Sequence, residues 1–413
     1  MASIYENLDT LEQVKSDIKT ALENRGVNLS NTPFTEYGNK ITAMPVGEDL
    51  DAELTEQDAL LNALDAQIDD LPDKPVDMLQ TRVDANNSCD YLFYECGNNT
   101  INYIKNLDTS RVTSMKDMFS NCKASEIDVS GFDTSNVTNM YNMFYLCSNL
   151  KEIDISNFNM DKLSQCDSMF SSCTNLEKLV VNENQSTTLT NLQSMFNGCK
   201  SLTNLDLSKW HINPINMGYM FRSCTGTESI DISNFDTRNT TAMTNMCWNC
   251  MSLTNIKVGD KFDTSKVQNF DRMFTACSEL ESLPTINVVS GTSFSSFVDS
   301  CTKLKNINIL NIKKSLRLGY ETYWGTMLTN ESLINTFKEL WDLTGSSSQT
   351  LTISTDSKNN IANIYVKLVD ITEEMIANDP YITNKKPCVV CDASDEGAMT
   401  LTEYAISKNW SIA

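Results

Sequence analysis

Between residues 132 and 156 the chain reads FDTSNVTNMYNMFYLCSNLKEIDIS, and its apolar positions fall at two different periods. Val137, Met140, Met143, Phe144 and Cys147 recur at three-to-four spacing, the mark of a helical face. Leu150, Ile153 and Ile155 then point one way while Asp154 and Ser156 point the other, as a half-buried strand requires. Phe158 closes the buried set. The acid of the FDTS text (Asp133, Asp263) or of Asp236-Thr-Arg supplies an acceptor for a turn and for the first free amides of the segment that follows. The predicted unit is strand, turn, short helix.

That unit repeats. A column of nine cysteines, Cys96, Cys122, Cys147, Cys173, Cys199, Cys224, Cys250, Cys277 and Cys301, runs at intervals of 24 to 27 residues, and the surrounding text is legible from about 92 to 310. A period of this length predicts a solenoid, whose stacked units bury a continuous core and present a long outer surface. The sequence resembles the BspA-like leucine-rich repeat, rich in FDTSNVTNM, MFxxC and LxxIDIS segments, and eight of nine copies keep part of the MFxxC signature. Met246-Cys247, Phe297-Val298 and Leu92-Phe93 depart from it, and after 301 the cysteine gives way to Trp324 to Leu328, a repeat grading into a cap. The resemblance implies a curved, parallel-stranded solenoid used for recognition.

Upstream, Leu8, Leu11, Val14, Ile18 and Leu22 mark an amphipathic helix that Gly26 stops. A heptad seam follows, with Leu54, Leu61 and Ile68 at a and Leu50, Gln57, Leu64 and Leu71 at d. The seam predicts self-association as a homotrimer. Against it, residues 48 to 73 hold ten acids and no base, which favours a single helix packed on something else. The opening text TLEQVKSDIKTALENRGVNLSNTPFTEYGNKI resembles the attachment region of bacteriophage tail-fibre and other minor virion proteins, and MTLTEYAISKNWSIA is similar to the ending of solenoid proteins from the same group. The expected fold class is therefore α/β, a parallel-stranded leucine-rich-repeat solenoid behind an α-helical, coiled-coil N-terminal region. Its expected divisions are 1–47 (attachment), 48–73 (coil), 74–90 (linker), 91–310 (solenoid) and 311–413 (atypical repeats and cap).

A formal charge of −22 over 413 residues sets the surface against nucleic acid and anionic membranes. No stretch reads as an export signal or a membrane anchor. The cysteine column, set beside the Met-Phe pair, reads as small buried thiols folded in a reducing cytosol. The single histidine, His211, has no supporting nucleophile motif. The spacings Cys388–Cys391 and Cys247–Cys250 fall short of the four ligands that a structural zinc takes. No enzyme, cofactor or metal is expected.

Binding candidates come from two columns. On the outward strand positions stand Asp128, Asp154, Asp206 and Asp231 beside Ser130, Ser156, Ser208 and Ser233, interrupted by Val180 and Lys257. Opposed like charges need neutralising, either by a cation or polar ligand or by nearby hydroxyls and amides. Between Phe and Cys, where Ser171-Ser172 and Asn197-Gly198 are typical, stand Tyr145, Arg222 and Trp248, types favoured in interfaces, unless they pack on local neighbours.

Together these features predict a bacteriophage virion protein of tail-fibre type, folded in the host cytoplasm. It attaches through its N-terminus to other virion proteins and recognises a host-surface glycan or protein. A BspA-like surface adhesin and a receptor-free head fibre or capsid decoration are the alternatives. Leu61→Asp or Leu64→Asp should dissociate the oligomer, read as mass by light scattering, while leaving the thermal transition of the solenoid in place.

Overall fold

Two hydrogen-bonded ladders organise each coil of the repeat. The computed structural model describes residues 80–412, apart from 81, 85, 98–103, 183–188, 319–327, 354–357 and 360. The amphipathic helix, the seam from Leu50 to Leu71 and Trp324 lie outside the described residues.

The first ladder is made of short parallel strands: β1 (Glu152–Asp154), β2 (Lys178–Val180), β3 (Asn204–Asp206), β4 (Ser229–Asp231), β5 (Asn255–Lys257), β6 (Ser282–Asn287) and β7 (Asn306–Leu310). Pairing is in register from coil to coil, as in Ile153 with Leu179 and Leu205 with Ile230. The central residues Ile153, Leu205, Ile230 and Ile256 are buried, so the predicted alternation stands.

The second ladder occupies the segment that the spacing assigns to a helix, and here the expectation is corrected. Residues 139–147 form a run of turns that begins on a bridge from Asn139 to Gln165. The amides of Met140, Asn142, Phe144 and Leu146 donate to Gln165, Asp167, Met169 and Ser171 of the next coil at 2.7–3.2 Å. The amides of Met143, Tyr145 and Cys147 donate back to Met140, Asn142 and Phe144 at 2.9–3.2 Å. Such alternation needs left-handed residues, and positive φ recurs five and one positions before every column cysteine, at Asn142 (55°) and Leu146 (59°) in this coil. A left-handed residue in every four ends an α-helix. Consecutive tight turns nevertheless bring every third or fourth side chain inward, which is why the apolar spacing imitates a helix.

Inside, the columns become continuous stacks. Phe93, Phe119, Phe144, Phe170, Phe196 and Phe221 lie ring on ring at 5.3–6.1 Å with interplanar angles of 3–6°. Burying each such side chain contributes about 1.5–3 kcal/mol. Next to them the thiols of Cys147, Cys173, Cys199 and Cys224 donate to the carbonyls of Phe119, Phe144, Phe170 and Phe196 in the preceding coil at 3.0–3.1 Å. Those of Cys250, Cys277 and Cys301 do the same to Phe221, Cys247 and Phe274. All fourteen cysteines are free thiols. Desolvation holds Cys199 and Cys224 well above the ordinary thiol range.

The bridge column starts at Ser88, within the stretch read as linker, and Val83 is already buried. Downstream the ladder passes to β8 (Leu316–Arg317), β9 (Gln349–Thr352) and β13 (Trp410–Ile412), which pair in parallel in the order β13-β9-β8. Helix α1 (Asn330–Lys338) is capped by Thr329 and covers the end of β7. A small antiparallel sheet of β11 (Cys388–Cys391), β10 (Tyr365–Leu368) and β12 (Met399–Thr400) follows, with α2 (Glu373–Asn378) and α3 (Leu401–Ser407). The buried Lys408 donates to the Leu340 carbonyl at 2.7 Å and the Trp410 indole to Trp341 at 2.9 Å, so the last residues are fastened beside the end of α1.

Leu146 is the costly member of the left-handed column, where Asn121, Gly198 and Asn249 stand in other coils. Its side chain is exposed, so little packing offsets a strain of about 1–2 kcal/mol. Leu146→Asn is expected to raise unfolding stability by about 1 kcal/mol in urea titration. A fall would mean that the leucine side chain stabilises its surroundings by more than the strain.

Candidate functional site

The two predicted binding columns stand on different ladders. Asp154, Asp206 and Asp231 are the last residues of β1, β3 and β4, and Asp128 holds the equivalent place one coil before β1. Each carboxylate accepts the amide of the serine two residues on: Ser130 on Asp128 at 3.0 Å, Ser156 on Asp154 at 2.8 Å, Ser208 on Asp206 at 2.9 Å and Ser233 on Asp231 at 3.0 Å. The Ser130 hydroxyl adds a bond of 2.6 Å. The carboxylates thereby serve as turn acceptors, which offsets their mutual repulsion. Asp231 also pairs with Lys257, its register partner on β5, at 2.7 Å, while Asp154 faces Val180. The residues that interrupt the acidic column thus relieve it. The hydroxyl and amide of the paired serine hold Asp128 and Asp154 below the ordinary carboxylate range. At Asp231 partial burial pulls the other way and is outweighed by Lys257 and Ser233.

The same local motif turns the chain twice more per coil, through Asp133 to Ser135 and through Asn139 to Tyr141. The reading of FDTS caught this acceptor and missed the threonine. The buried Thr134 hydroxyl accepts the Asn159 amide at 2.7 Å and donates to the Asn159 carbonyl at 3.0 Å, and Thr109, Thr237 and Thr264 repeat the exchange. Its signal lay in the invariance of the Thr in those copies.

Tyr145, Arg222 and Trp248 share one column of the turn ladder, each half-buried with its side chain on the outer face. Tyr145 stands three coils before Arg222. Arg222 and Trp248 are in contact: the guanidinium lies over the indole, 4.4 Å from its centroid, and also approaches Tyr219 at 5.9 Å. The Arg272 guanidinium lies over the same indole at 5.6 Å. Contacts of this kind contribute about 0.5–1 kcal/mol at exposed sites. Tyr219 and Arg272 escaped the sequence reading because they occupy the left-handed column five places before the cysteine. There the siblings are Tyr91, Asp117, Asn142, Ser168, Ser194, Asn245 and Ser296, a column mixed enough that a departing residue does not stand out.

Among the described residues no group of three or more His, Cys, Asp or Glu is placed to hold a metal, and no helix is long and apolar enough to cross a membrane. Cys388 is a buried strand residue whose thiol burial pushes up, with Cys391 half-buried at the other end of β11.

A family model described as "Mycoplasma protein of unknown function, DUF285" matches residues 87–210, 181–285 and 215–333. The chain belongs to that family. The three overlapping matches span the two-ladder repeat of this DUF285 protein. Among solved structures it is similar to a leucine-rich repeat protein from Bacteroides ovatus, with 16% identity over 64% of this chain and 72% of that one and a TM-score of 0.27. It is also similar to the functional domain of InlJ from Listeria monocytogenes, a domain that includes a cysteine ladder. There the identity is 13% over 65% of this chain and 69% of that one, with a TM-score of 0.17. No curated protein matches the sequence significantly.

A carboxylate whose folded-state value lies below its unfolded value of about 3.9 stabilises the fold above that pH, and loses the contribution as pH falls through the folded value. For Asp108, Asp128, Asp133 and Asp154, all lowered by their serine partners, that window lies below about pH 4. The thermal midpoint of Ser130→Ala should therefore match the parent at low pH and fall below it near neutrality. In the variant the Asp128 carboxyl, followed by NMR, should titrate closer to the ordinary value. An unchanged Asp128 titration would show that the serine does not hold it down.

Proposed function

We propose that this DUF285 protein is a noncatalytic recognition solenoid of the BspA-like surface-adhesin kind, which engages a host-surface glycan or protein through its turn ladder. The observation that carries the reading is the shared column of Tyr145, Arg222 and Trp248. Three interface-type side chains depart from small polar siblings and are held outward on a backbone that every neighbouring coil clamps. Trp and Arg are the residue types on which binding energy concentrates when they are set on a rigid frame. The strand-ladder acids support the reading less, because one oxygen of each already serves a turn.

A second reading keeps the same face and changes where it is displayed. The heptad text and the opening resemblance favour a homotrimeric bacteriophage virion protein, attached by its first residues and reading a bacterial surface. Both readings predict that the full chain binds intact surfaces, and they differ in which.

Labelled full-length protein, titrated onto immobilised animal-cell matrix and onto whole bacterial cells, separates them. The adhesin reading expects saturable binding to matrix, weakened about tenfold or more by Trp248→Ala, with the thermal midpoint of the variant confirming that it folds. Binding confined to bacterial cells would transfer the proposal to the virion reading. The absence of binding to either surface would sink both.

A further inference from the structure

Several cations of this chain sit in ion pairs. Lys178 meets Glu152, Arg238 meets Asp236, Lys257 meets Asp231, Lys303 meets Glu279, Arg317 meets Asp299 and Lys386 meets Asp342. Arg222 and Arg272 are not among them: of the described carboxylates none lies within ion-pairing distance of either, and both guanidiniums lie over Trp248. The turn segments 219–225 and 245–251 contain no acid. Asp271, adjacent to Arg272, spends one oxygen on the Ser293 hydroxyl and the Ser295 amide. The Nε of Arg222 is shut away from solvent with no hydrogen-bond partner. Two guanidiniums held on one indole repel each other, and the indole faces relieve that repulsion only in part.

We propose that Arg222, Trp248 and Arg272 form a binding site for an acidic glycan, with its carboxylate or sulfate groups taken by the two guanidiniums and its sugar carbons resting on the rim of the indole. The inference rests on the recognition reading above and names the chemistry of its ligand. Guanidinium matches a planar oxyanion with paired charge-assisted hydrogen bonds, which suits carboxylate and sulfate alike. A nucleic acid fits less well, because single strands bind largely by stacking bases on open aromatic faces, and the Trp248 indole already carries both guanidiniums.

The test is calorimetric titration of the full chain, at low and at physiological salt, with a polygalacturonate oligomer, a heparin hexasaccharide and a single-stranded oligonucleotide of similar length. Binding of the first or the second supports the site and assigns carboxylate or sulfate. The affinity should drop about tenfold or more in Arg222→Gln and in Arg272→Gln, weaken with salt, and stay unchanged in Lys303→Gln. Tighter binding of the oligonucleotide, no binding of either saccharide, or an equal loss in Lys303→Gln overturns it. If Arg272→Gln keeps full surface binding and the parent ignores both saccharides, this inference fails and the recognition reading stands. If the parent binds no surface at all, the recognition reading fails whatever the calorimetry gives.

Discussion

The fold depends on how the backbone amides of the turn ladder are shared. Alternate amides bond within their own turn and across to the next coil, so neither set is left unsatisfied and no coil is complete without its neighbour. Left-handed residues at two places per coil are the geometric condition for this division. They explain why the segment is not a helix despite its apolar spacing. They also fix the direction of every side chain between them: Phe and Cys go inward, and the two residues that separate them go outward.

Once adjacent coils are clamped in register, like residues meet like residues, and each column must be a good contact with itself. Phenylalanine satisfies this by parallel stacking. Cysteine does so by offering a small apolar body with one weak donor, aimed at the carbonyl of the aromatic residue in the coil before. That carbonyl already accepts the amide of its own cysteine, as Phe170 accepts Cys173. The thiol therefore adds a second bond without which no backbone group would be orphaned. The threonine column works differently, because its hydroxyl takes both the donor and the acceptor role in the ladder. The aromatic stack is interrupted at Cys247, and at the next residue Trp248 appears on the outside. The coil that gives up its inward ring is the coil that carries the outward one.

Much of this was legible in the residues. The cysteine period gave the number of coils, and the alternation around Ile153 gave the strand ladder with its buried and exposed faces. The acid of FDTS was read as a turn acceptor, which it is. The turn ladder was not legible as such, because Val137, Met140, Met143, Phe144 and Cys147 have the same inward spacing in a string of tight turns as in a helix. What distinguishes the two is the pair of left-handed columns, and their composition is too mixed to announce itself when Leu146 stands in one, and Tyr219 and Arg272 in the other, among Ser, Asn and Gly. Part of the candidate site was reachable: departure from a column selected Arg222 and Trp248, which touch, and Tyr145, which stands apart. Arg272 lay in a column whose role only the backbone conformation reveals.

The distribution of charge separates structural acids from an available surface. Carboxylates at the ends of β1, β3 and β4 carry hydrogen bonds from their own turns, and Lys257 neutralises Asp231, so the acids of that column serve the fold. On the turn ladder the situation is reversed. Arg222 and Arg272 there have no carboxylate partner among the described residues, and the aromatic residue between them cannot neutralise charge, only spread it over its faces. Two unpaired guanidiniums on one indole leave an electrostatic demand that a partner bearing oxyanions would satisfy.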